Sequence, residues 1–599
     1  MTCERARVVA ERVMLIPIFL IASGCGGGQS TSLPPPPQIT LNRMAAYYSA
    51  SSPLNLNYAI AGEGAFTLLA SGSGFTPSSA IDWNGTALPT TFGDSTDLAG
   101  AVSASLIAAP GTAKITVRDA ASGASSNAVQ LDIASPAAAT AGVIALITVA
   151  PDGSPANGDS LVAPAISATG RYVSFQSNAT NLAAGPASGY QEIYERDTCI
   201  GAPPGCTAST IRITSTYDGS AVNFHSLNSA ISADGRYVAF DSEATNILPN
   251  SGGCGPGCVF LRDTCIGAAP GCSPSTTLVT VASDGSPAGG ANPSISPDGR
   301  FVAFNSNSPN VVSGDTGGIG EAFVRDTCTG VSSGCTLSTT LISVPSTGAQ
   351  DNANTGLAAT SALGRFFAFQ SWATNMVPNE TIVPGNFWRD TCFGVQSPCV
   401  PNTIRVDLAA NGSQPNNVVS NGAIPAISGD GRLVAFSSTA TNLVSVDVQG
   451  NANAYLRDTC AAAPSGCTPA TSLVSVANDS SVGNCQSPSQ GLAMTPSGRF
   501  VAFDSTATNL VPGDSFPACS FEDVFVRDTC YGVSSGCTSS TVRASVADTP
   551  GFATQANGVN GLPAISGDGR YVVFLSLATN LVTGGTNGHQ MVLLAKTGF

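Results

Sequence analysis

Sixteen cysteines that follow residue 25 have the spacing of a disulfide framework. Twelve of them form six Cys-x6-Cys pairs: Cys199/Cys206, Cys265/Cys272, Cys328/Cys335, Cys392/Cys399, Cys460/Cys467 and Cys530/Cys537. The other four complete the set as Cys254/Cys258 and Cys485/Cys519. An even number with none left over predicts disulfides in an oxidising compartment, each small ring adding about 2 kcal/mol of stability. Because no histidine accompanies the pairs, zinc sites are not predicted.

Hydrolytic chemistry has little support in the sequence. Two Gly-x-Ser-x-Gly matches occur, at residues 330–334 and 532–536, but both lie inside cysteine-closed loops without a strand-to-helix elbow. The only histidines that could act as a general base are His225 and His589, in loops of different units. The sequence therefore predicts no catalytic residue.

Calcium is the metal that the acidic residues could hold. Oxygen ligands are offered by Asp315, by Asp514 together with Glu522 and Asp523, and by Asp-Gly-Ser loops such as that of Asp284. None of these stretches completes a calcium-loop pattern. The prediction is therefore no cofactor, with calcium as the alternative.

Two short polar motifs recur along the chain. Ala-Thr-Asn begins at residues 179, 244, 373, 440, 507 and 578, and Arg-Asp begins at residues 196, 262, 325, 389, 457 and 527. The first could form a ring of ligand contacts, but Thr and Asn also satisfy backbone groups in turns. A motif that recurs in nearly every repeat favours the structural interpretation for both.

These motifs belong to a unit that occurs seven times. Its Gly-Arg pair begins at residues 170, 235, 299, 364, 431, 498 and 569, a period of 64 to 71 residues. Each unit has four short apolar runs, a to d, typical of an antiparallel meander. Its a–b turns carry Asp-Gly at Asp234, Asp298, Asp430 and Asp568, which predicts tight turns. Stacked four-stranded units predict a β-propeller with seven blades.

The two ends of the repeat region complement each other. The seventh unit stops at Phe599 after run c (residues 590–594), and an unmatched apolar run at residues 143–149 precedes the first unit. We expect this run to pair with run c of the seventh unit, because that pairing closes a ring and leaves no exposed sheet edge. Run d of the last blade would then come from the start of the region.

The segment 38–136 has a different all-β pattern, with strands expected at residues 65–70, 80–83, 101–105, 113–117 and 128–133. Its stretches 72–75, 82–86, 90–92, 110–117 and 126–127 resemble the IPT/TIG family of immunoglobulin-like domains. The resemblance implies a sandwich that serves as a spacer or a protein-contact module, without catalytic residues. A short alanine-rich linker, residues 134–141, follows.

The repeats resemble a second family. Their Ser-x-Asp-Gly-Arg-x-Val-Ala-Phe-x-Ser pattern is similar to the TolB-like propeller repeats, also called WD40-like or PD40 repeats, over residues 142–599. Because no α/β domain precedes the propeller here, the resemblance implies the fold and an exported binding propeller, not the transport role of TolB. The fold class predicted for the whole chain is all-β.

The first 37 residues predict export. Residues 1–24 have the arginines and apolar run of a signal peptide, and residues 21–25 resemble a bacterial lipoprotein box. That box makes Cys25 a lipidated first residue, followed through residue 37 by a tether; the alternative is an ordinary cleaved signal. We expect a lipid-anchored envelope protein, at the outer membrane or cell surface rather than the inner membrane.

Charge and loop patterns limit the function. After residue 24 there are 20 basic and 36 acidic residues, which argues against a nucleic-acid partner. The b–c and d–a connections vary more than the a–b turns, so binding is expected on their face. The leading hypothesis is a non-enzymatic scaffold for a protein or glycan at the envelope. The alternatives are a calcium-assisted hydrolase or lyase and a purely structural envelope protein.

Overall fold

The computed structural model describes residues 39–47, 54–55, 58–60, 66–109, 111–134, 142–186, 188–203, 205–249, 254, 257–315, 318–331, 334–394, 399–418, 424–461, 463, 466–488, 491–512, 519–533, 536–547, 554–582 and 585–599. Within this part of the chain the secondary structure is all-β apart from one 3-10 turn, which confirms the predicted class. Ile39–Phe599 forms one compact unit. The predicted signal peptide, Cys25 and the tether lie outside the described residues. No helix among the described residues is long and apolar enough to cross a bilayer.

The N-terminal segment forms two five-stranded sheets around one core. Its elements are β1 (Thr40–Tyr47), β2 (Leu54–Asn55), β3 (Tyr58–Ile60), β4 (Phe66–Ser73), β5 (Ser79–Trp83), β6 (Thr86–Ala87), β7 (Thr90–Phe92), β8 (Asp97–Val102), the 3-10 turn Ala104–Ile107, β9 (Gly111–Asp119) and β10 (Val129–Ala134). The strand orders are β2-β1-β4-β8-β7 and β3-β10-β9-β5-β6. Both sheets contribute buried side chains to a single hydrophobic cluster.

Strand β1 was not predicted, and its geometry shows why. A bulge between Leu41 and Arg43 shifts its register against β4, so its buried residues Leu41 and Met44 are three positions apart rather than two. The period-two pattern that marks a half-buried strand is therefore broken. The strand predicted at 101–105 was placed too late, because β8 ends at Val102 and the 3-10 turn follows.

Six four-stranded antiparallel sheets follow, each built from one repeat. Sheet 1 contains β12 (Ala165–Ile166), β13 (Tyr172–Ser177), β14 (Glu192–Asp197) and β15 (Ser209–Arg212); sheet 2 contains β16 (Ser226–Ile231), β17 (Tyr237–Ser242), β18 (Cys258–Asp263) and β19 (Ser275–Leu278); sheet 3 contains β20 (Ala291–Ile295), β21 (Phe301–Ser306), β22 (Glu321–Asp326) and β23 (Ser338–Leu341). Sheet 4 contains β24 (Thr355–Thr360), β25 (Phe366–Ser371), β26 (Gly385–Asp390) and β27 (Asn402–Arg405); sheet 5 contains β28 (Ala426–Ile427), β29 (Leu433–Ser438), β30 (Asn453–Asp458) and β31 (Ala470–Leu473); sheet 6 contains β32 (Leu492–Met494), β33 (Phe500–Ser505), β34 (Asp523–Asp528) and β35 (Ser540–Arg543).

A seventh sheet combines both ends of the repeat region. It contains β11 (Gly142–Leu146), β36 (Val546–Ala547), β37 (Thr554–Gln555), β38 (Asn560–Ile565), β39 (Tyr571–Ser576) and β40 (Met591–Lys596). Strand β11 lies antiparallel to β40, with Val143 opposite Ala595 and Leu146 opposite Leu593. The predicted pairing of residues 143–149 with the last strand is therefore present. The sheet has two strands more than predicted, because β36 pairs parallel to β11 and carries the hairpin partner β37.

Consecutive sheets meet at their a–b turns. The turn glycine of sheet 2, Gly235, has a φ of +79°, and a Cβ there would overlap the ring of Tyr172 in sheet 1. Gly170 of sheet 1 lies in the same way on Tyr571 of sheet 7. The other five pairs are Gly299/Tyr237, Gly364/Phe301, Gly431/Phe366, Gly498/Leu433 and Gly569/Phe500. Sheets 7 and 1 are therefore neighbours in the same manner as sheets 1 and 2.

The recurring Arg-Asp motif is not the ion pair that its sequence suggests. Asp197 accepts two hydrogen bonds from Arg171 of the Gly-Arg pair, at 3.0 and 2.8 Å, and one from the backbone N–H of Cys199. Its sequence neighbour Arg196 donates instead to Thr210 on β15. Five more sheet pairs repeat the arrangement: Arg236–Asp263, Arg300–Asp326, Arg365–Asp390, Arg432–Asp458 and Arg499–Asp528. The motif ties the second strand to the third and to the cysteine loop, so it is structural.

The a–b turn aspartates have the predicted role. Asp234 accepts hydrogen bonds from the hydroxyl of Ser232 and from the backbone N–H of Arg236, and Asp298, Asp430 and Asp568 do the same in their turns.

Sheet 1 contains an acid at a position where other sheets have apolar residues. Glu195 on β14 is 1% exposed, and neither carboxyl oxygen has a hydrogen-bond partner. The equivalent residues elsewhere include Leu261 and Leu456. Burial raises the pKa of Glu195 well above its ordinary value, and the nearby Asp234 and Asp197 raise it further.

We expect Glu195→Leu to stabilise the protein in a pH-dependent manner. A raised pKa means that the folded state binds the proton more tightly than the unfolded state, so stability is lost as the pH rises above about 4.3, the ordinary pKa of glutamate. The variant escapes this loss, so its gain should be about 1–3 kcal/mol at pH 8 and small at pH 4. Denaturant unfolding at both pH values measures it. Glu195→Gln, which keeps an unpaired polar group, should remove the pH dependence with a smaller gain; an equal gain at both pH values would contradict the assignment.

Candidate functional site

The connections of the seven sheets fall into two sets. We call the b–c and d–a connections the loop face, and the a–b and c–d connections the turn face. On the loop face, Cys254–Cys258 and Cys485–Cys519 form two disulfides. On the turn face, six disulfides with Cα–Cα separations of 5.7–5.8 Å close the loops: Cys199–Cys206, Cys265–Cys272, Cys328–Cys335, Cys392–Cys399, Cys460–Cys467 and Cys530–Cys537.

The second cysteine of each turn-face loop has contacts that its spacing does not predict. In sheet 6, Cys537 Sγ is bonded to Cys530 and also lies 3.7 Å from Asp528 Oδ2 and 3.9 Å from Arg499 Nη2. In sheet 3, Cys335 Sγ lies 3.7 Å from both carboxyl oxygens of its aspartate and 3.6 Å from the guanidinium. The spacing accounts for the pairing of Cys537 but not for its place on the ion pair, because that ion pair joins two other strands. Each disulfide loop therefore packs against the arginine–aspartate pair of its own sheet.

A repeated hydrogen-bond pattern holds the loop face. The backbone N–H of Asn157 donates to Asn181 Oδ1, while Asn157 Oδ1 accepts from the backbone N–H of Thr180 and its Nδ2 donates to Thr180 Oγ1. Asn181 Nδ2 in turn donates to the carbonyl of Pro155. The same pattern occurs at Asn223/Thr245/Asn246, Asn352/Thr374/Asn375, Asn416/Thr441/Asn442, Asn484/Thr508/Asn509 and Asn557/Thr579/Asn580. The structural interpretation of Ala-Thr-Asn is confirmed, with a partner Asn that sequence reasoning missed.

Above this constant frame lies a variable set of residues. The residue before each of the six Ala-Thr-Asn motifs donates its backbone N–H to the carbonyl of a residue in the preceding d–a connection. The two residues of each pair therefore lie next to each other. The pairs are Asn178/Asp159, Glu243/His225, Trp372/Asn354, Thr439/Val418, Thr506/Gln486 and Leu577/Val559. All twelve side chains are exposed or half-buried. The sheets therefore share one frame and differ in what they present to solvent.

Aromatic rings are concentrated at the d–a connection between sheets 1 and 2. Tyr190 stacks on Phe224 with a centroid distance of 5.6 Å, and His225 packs edge-on against both rings at 5.1 Å. Phe224 is 45% exposed, although it is apolar. His225 Nδ1 accepts the backbone N–H of Gln191, so one ring nitrogen is already engaged. Further round the loop face, Trp372 is 37% exposed. Exposed aromatic groups of this kind mark binding surfaces.

Three arginines form ion pairs with buried acids at the loop-face ends of the sheets. In sheet 1, Arg212 Nε lies 2.7 Å from Glu192 Oε2. In sheet 4, Arg405 contacts both Glu380 and Asp407. The third pair joins Arg543 and Asp523 of sheet 6 at 3.5 Å. Each acid is neutralised by an arginine, which suits support of the loops more than acid–base chemistry.

The described part of sheet 3 has buried acids at its loop-face end that form no ion pair with an arginine. Gln350 Nε2 donates to Glu321 Oε1 at 3.0 Å and to Asp315 Oδ1 at 3.3 Å, and the carboxyl of Glu321 also contacts that of Asp351. Thr355 Oγ1 donates to Asp351 Oδ2 at 2.9 Å. Burial raises the pKa of Glu321 to about 8, and burial also raises that of Asp351. We call Asp315, Glu321, Asp351 and Gln350 the sheet 3 acid cluster.

The acids predicted as calcium ligands lie in two different sheets. Asp315 belongs to sheet 3, whereas Glu522 and Asp523 belong to the loop-face end of sheet 6, and Asp514 lies outside the described residues. Asp523 accepts from Ser545 Oγ at 2.7 Å and from Gln555 Nε2 at 3.2 Å besides its arginine. Asp152 and Asp284 accept from the serine two residues on and form turns. Sequence reasoning missed Glu321 and Asp351, which were visible only as single acids.

The turn face offers acid and sulfur groups and one large cleft. Each Arg-bound aspartate lies close to the two cysteines of its loop, as Asp263 does to Cys265 and Cys272, but those sulfurs are joined in disulfides and are not free to bind metal.

A cleft of about 1210 Å³ lies between the N-terminal sheets, at Met44 and Val129, and the turns and cysteine loops of sheets 1 to 3. This concavity is on the face opposite to the one that the sequence favoured.

Comparisons with known proteins give only distant structural matches. No family model matches the chain, and no curated protein matches it. An auxiliary nutrient binding protein from Bacteroides thetaiotaomicron is 8% identical with a TM-score of 0.31, covering 92% of this chain and 98% of that one. One from Bacteroides ovatus is 10% identical with a TM-score of 0.29, at 94% and 100% coverage. An alpha-L-arabinofuranosidase from Lactobacillus brevis is 11% identical with a TM-score of 0.24, at 51% and 90% coverage. At these scores the matches carry no argument about this chain.

Proposed function

We propose that this protein is an exported, lipid-anchored scaffold that binds a glycan on the loop face of a seven-bladed TolB-like propeller. In this proposal sheets 1 to 7 are the blades, the N-terminal sheets are an IPT/TIG immunoglobulin-like domain, and Cys25 carries the lipid. The pairing of β11 with β40 inside sheet 7, and the contact of Gly170 in sheet 1 with Tyr571 in sheet 7, support a ring. The anchor would hold the ring at the bacterial envelope, on the outer membrane or the cell surface.

The observation that carries the proposal is a constant frame beneath variable exposed side chains. If the loop face had only a structural role, equivalent positions would be free to hold any small polar residue. They hold instead Trp372, His225 and Glu243, and Phe224 is exposed beside His225. A rigid frame that presents differing side chains is the arrangement used for binding in many folds.

The chemistry of these side chains favours a sugar over a charged ligand. Most of the exposed polar groups are amides and hydroxyls, such as Asn354, Gln486 and Thr506, which exchange hydrogen bonds with neutral hydroxyl groups. Aromatic rings supply flat apolar faces beside them. The buried acids of sheets 1, 4 and 6 are paired with arginines, which supports a non-enzymatic role.

Phe224→Ala and Trp372→Ala should each weaken glycan binding by about 30-fold or more, the usual effect of removing an interface aromatic anchor worth 2 kcal/mol. Titration calorimetry against the best ligand of a glycan array measures the change. Leu337→Ala is the matched control, because Leu337 is 58% exposed but follows the cysteine loop of the turn face. It should bind like the wild type.

The same array separates the alternatives. Turnover of a bound sugar or lactone would replace the scaffold with an enzyme, and capture of an envelope protein with no glycan bound would make the partner a protein. A glycan whose affinity is reduced by Leu337→Ala but not by Phe224→Ala would place the site on the turn face.

A further inference from the structure

The loop face of sheet 2 carries an exposed aromatic ring that its counterparts lack. Phe224 directly follows the asparagine of the repeated hydrogen-bond pattern, Asn223, and it is 45% exposed. The other sheets with that pattern have small or polar residues at this position: Gly158, Ala353, Asn417, Cys485 and Gly558. The ring is therefore specific to sheet 2 and is not part of the repeating frame.

The imidazole of His225 extends this aromatic group, and its proton has a fixed position. Its Nδ1 accepts the backbone N–H of Gln191 at 3.2 Å, so the proton of the neutral ring is on Nε2. The ring packs edge-on against Tyr190 and Phe224 at 5.1 Å. In this neutral form His225 offers an N–H donor to a ligand and does not neutralise an acid beside it.

Glu243 is an acid without a positive partner next to this aromatic group. Its backbone N–H donates to the carbonyl of His225 at 2.8 Å, and its side chain is half-buried. Asp159, the acid of the corresponding pair in sheet 1, contacts His589 and accepts the backbone N–H of Gln590. The carboxylate of Glu243 forms no hydrogen bond or ion pair with any described residue. Its negative charge is available to a ligand.

We infer that Phe224, His225 and Glu243 form a subsite for the protonated amine of an amino sugar. The face of an aromatic ring attracts a cation, and a carboxylate beside it supplies the opposite charge. The Nε2–H of His225 donates to a neighbouring sugar hydroxyl. The inference rests on the proposed glycan binding and specifies one substituent of that glycan.

The charge of the protein agrees with a cationic substituent. The chain has a formal net charge of −15, and the arginines at the loop-face ends of sheets 1, 4 and 6 are engaged by acids of their own sheets. A negative surface attracts a cation and repels a sugar that carries a carboxylate or a sulfate. The amides and hydroxyls of the other sheets suit the neutral hydroxyls of the rest of the glycan.

Titration calorimetry of the full chain with two ligands tests the subsite. The ligands are a hexamer of glucosamine and its fully N-acetylated counterpart, in a buffer below the pKa of the amines. The wild type should bind the amine form about tenfold more tightly, a difference of about 1.4 kcal/mol, and added salt should reduce this preference. Phe224→Ala should weaken the binding of both hexamers.

Two acid variants locate the charge that gives the preference. Glu243→Gln keeps the size of the side chain and removes its charge, so the preference should fall to about twofold or less. Asp447→Asn is the matched control, because Asp447 is an exposed loop-face acid of sheet 5. An asparagine there can still accept the backbone N–H of Gln449, so this variant should keep the tenfold preference.

Three results would overturn the inference. The first is a wild type that binds both hexamers equally or prefers the N-acetylated one; glycan binding itself would then stand. The second is an equal loss of preference in Asp447→Asn and Glu243→Gln, which would assign the effect to the overall charge. The third is a lysine hexapeptide that binds more tightly than the amino sugar and depends on Glu243, which would make the partner a cationic protein. Binding of neither hexamer and of no glycan on the array would instead remove the proposed function itself, and the inference with it.

Discussion

Replacing Arg405 by alanine is expected to lower the free energy of unfolding by about 3–5 kcal/mol, the usual cost of leaving a buried charge without its partner. Arg405 is 2% exposed on its side chain, and its guanidinium contacts the fully buried Glu380 and Asp407. Burial already raises the pKa of Asp407, and the charge of Arg405 opposes that rise. Without the arginine, two buried carboxylates lose their shared partner.

The pH dependence of the stability loss distinguishes unpaired buried charges from a simple loss of packing around the arginine side chain. Without the opposing charge of Arg405, the raised pKa of Asp407 means that the folded state gains a proton, so the destabilisation by Arg405→Ala should be smaller at pH 4 than at pH 8. Denaturant unfolding at both pH values measures it. In a triple variant, Arg405→Leu and Asp407→Ser copy Leu473 and Ser475 of sheet 5, and Glu380→Gln removes the remaining charge; this variant should recover most of the loss. A pH-independent loss that the triple variant does not recover would contradict the charge argument.

Gly235→Ala should cost about 2–5 kcal/mol, the sum of a left-handed backbone for a non-glycine residue and an overpacked contact. The added methyl group would overlap the ring of Tyr172 in the preceding sheet. Gly219 provides the matched control, because it has a φ of +75° but no atom lies within 4 Å of the point that a Cβ would occupy. Gly219→Ala should therefore cost only the backbone part, about 1–2 kcal/mol. Equal losses at the two glycines would mean that the turns of sheets 1 and 2 do not touch.

Much of the strand pattern could be predicted from the sequence because the unit repeats. Each unit carries the same apolar runs and the same Gly-Arg turn, so an error in one copy is corrected by the others. The pairing of β11 with β40 followed from counting strands at the two ends. The single-copy N-terminal sheets had no such support, and there the bulge at Leu41 hid a strand.

Partners across strands were harder to predict than the strands themselves. Arg196 and Asp197 are adjacent in sequence, but neighbouring residues of a strand point to opposite faces. Asp197 therefore meets Arg171, which precedes its register partner Tyr172 on β13.

The sheet 3 acid cluster was missed for a related reason. Glu321 and Asp351 come from different connections and have no common motif. Leu341 stands where sheets 1, 4 and 6 have Arg212, Arg405 and Arg543. That difference between the repeats is the sequence signal that could have drawn attention to these acids.

The loop face exists as one surface only if the seven sheets close into a ring, and a double-mutant cycle between Gly170 and Tyr571 tests that closure most directly. These residues are far apart in sequence, and a Cβ at Gly170 would lie 2.6 Å from Cδ2 of Tyr571. Closure predicts that Tyr571→Ala relieves part of the cost of Gly170→Ala, with a coupling energy of about 1–2 kcal/mol, similar to that between Gly235 and Tyr172. Additive losses at Gly170 and Tyr571, together with clear coupling at Gly235 and Tyr172, would show that sheets 7 and 1 are not in contact.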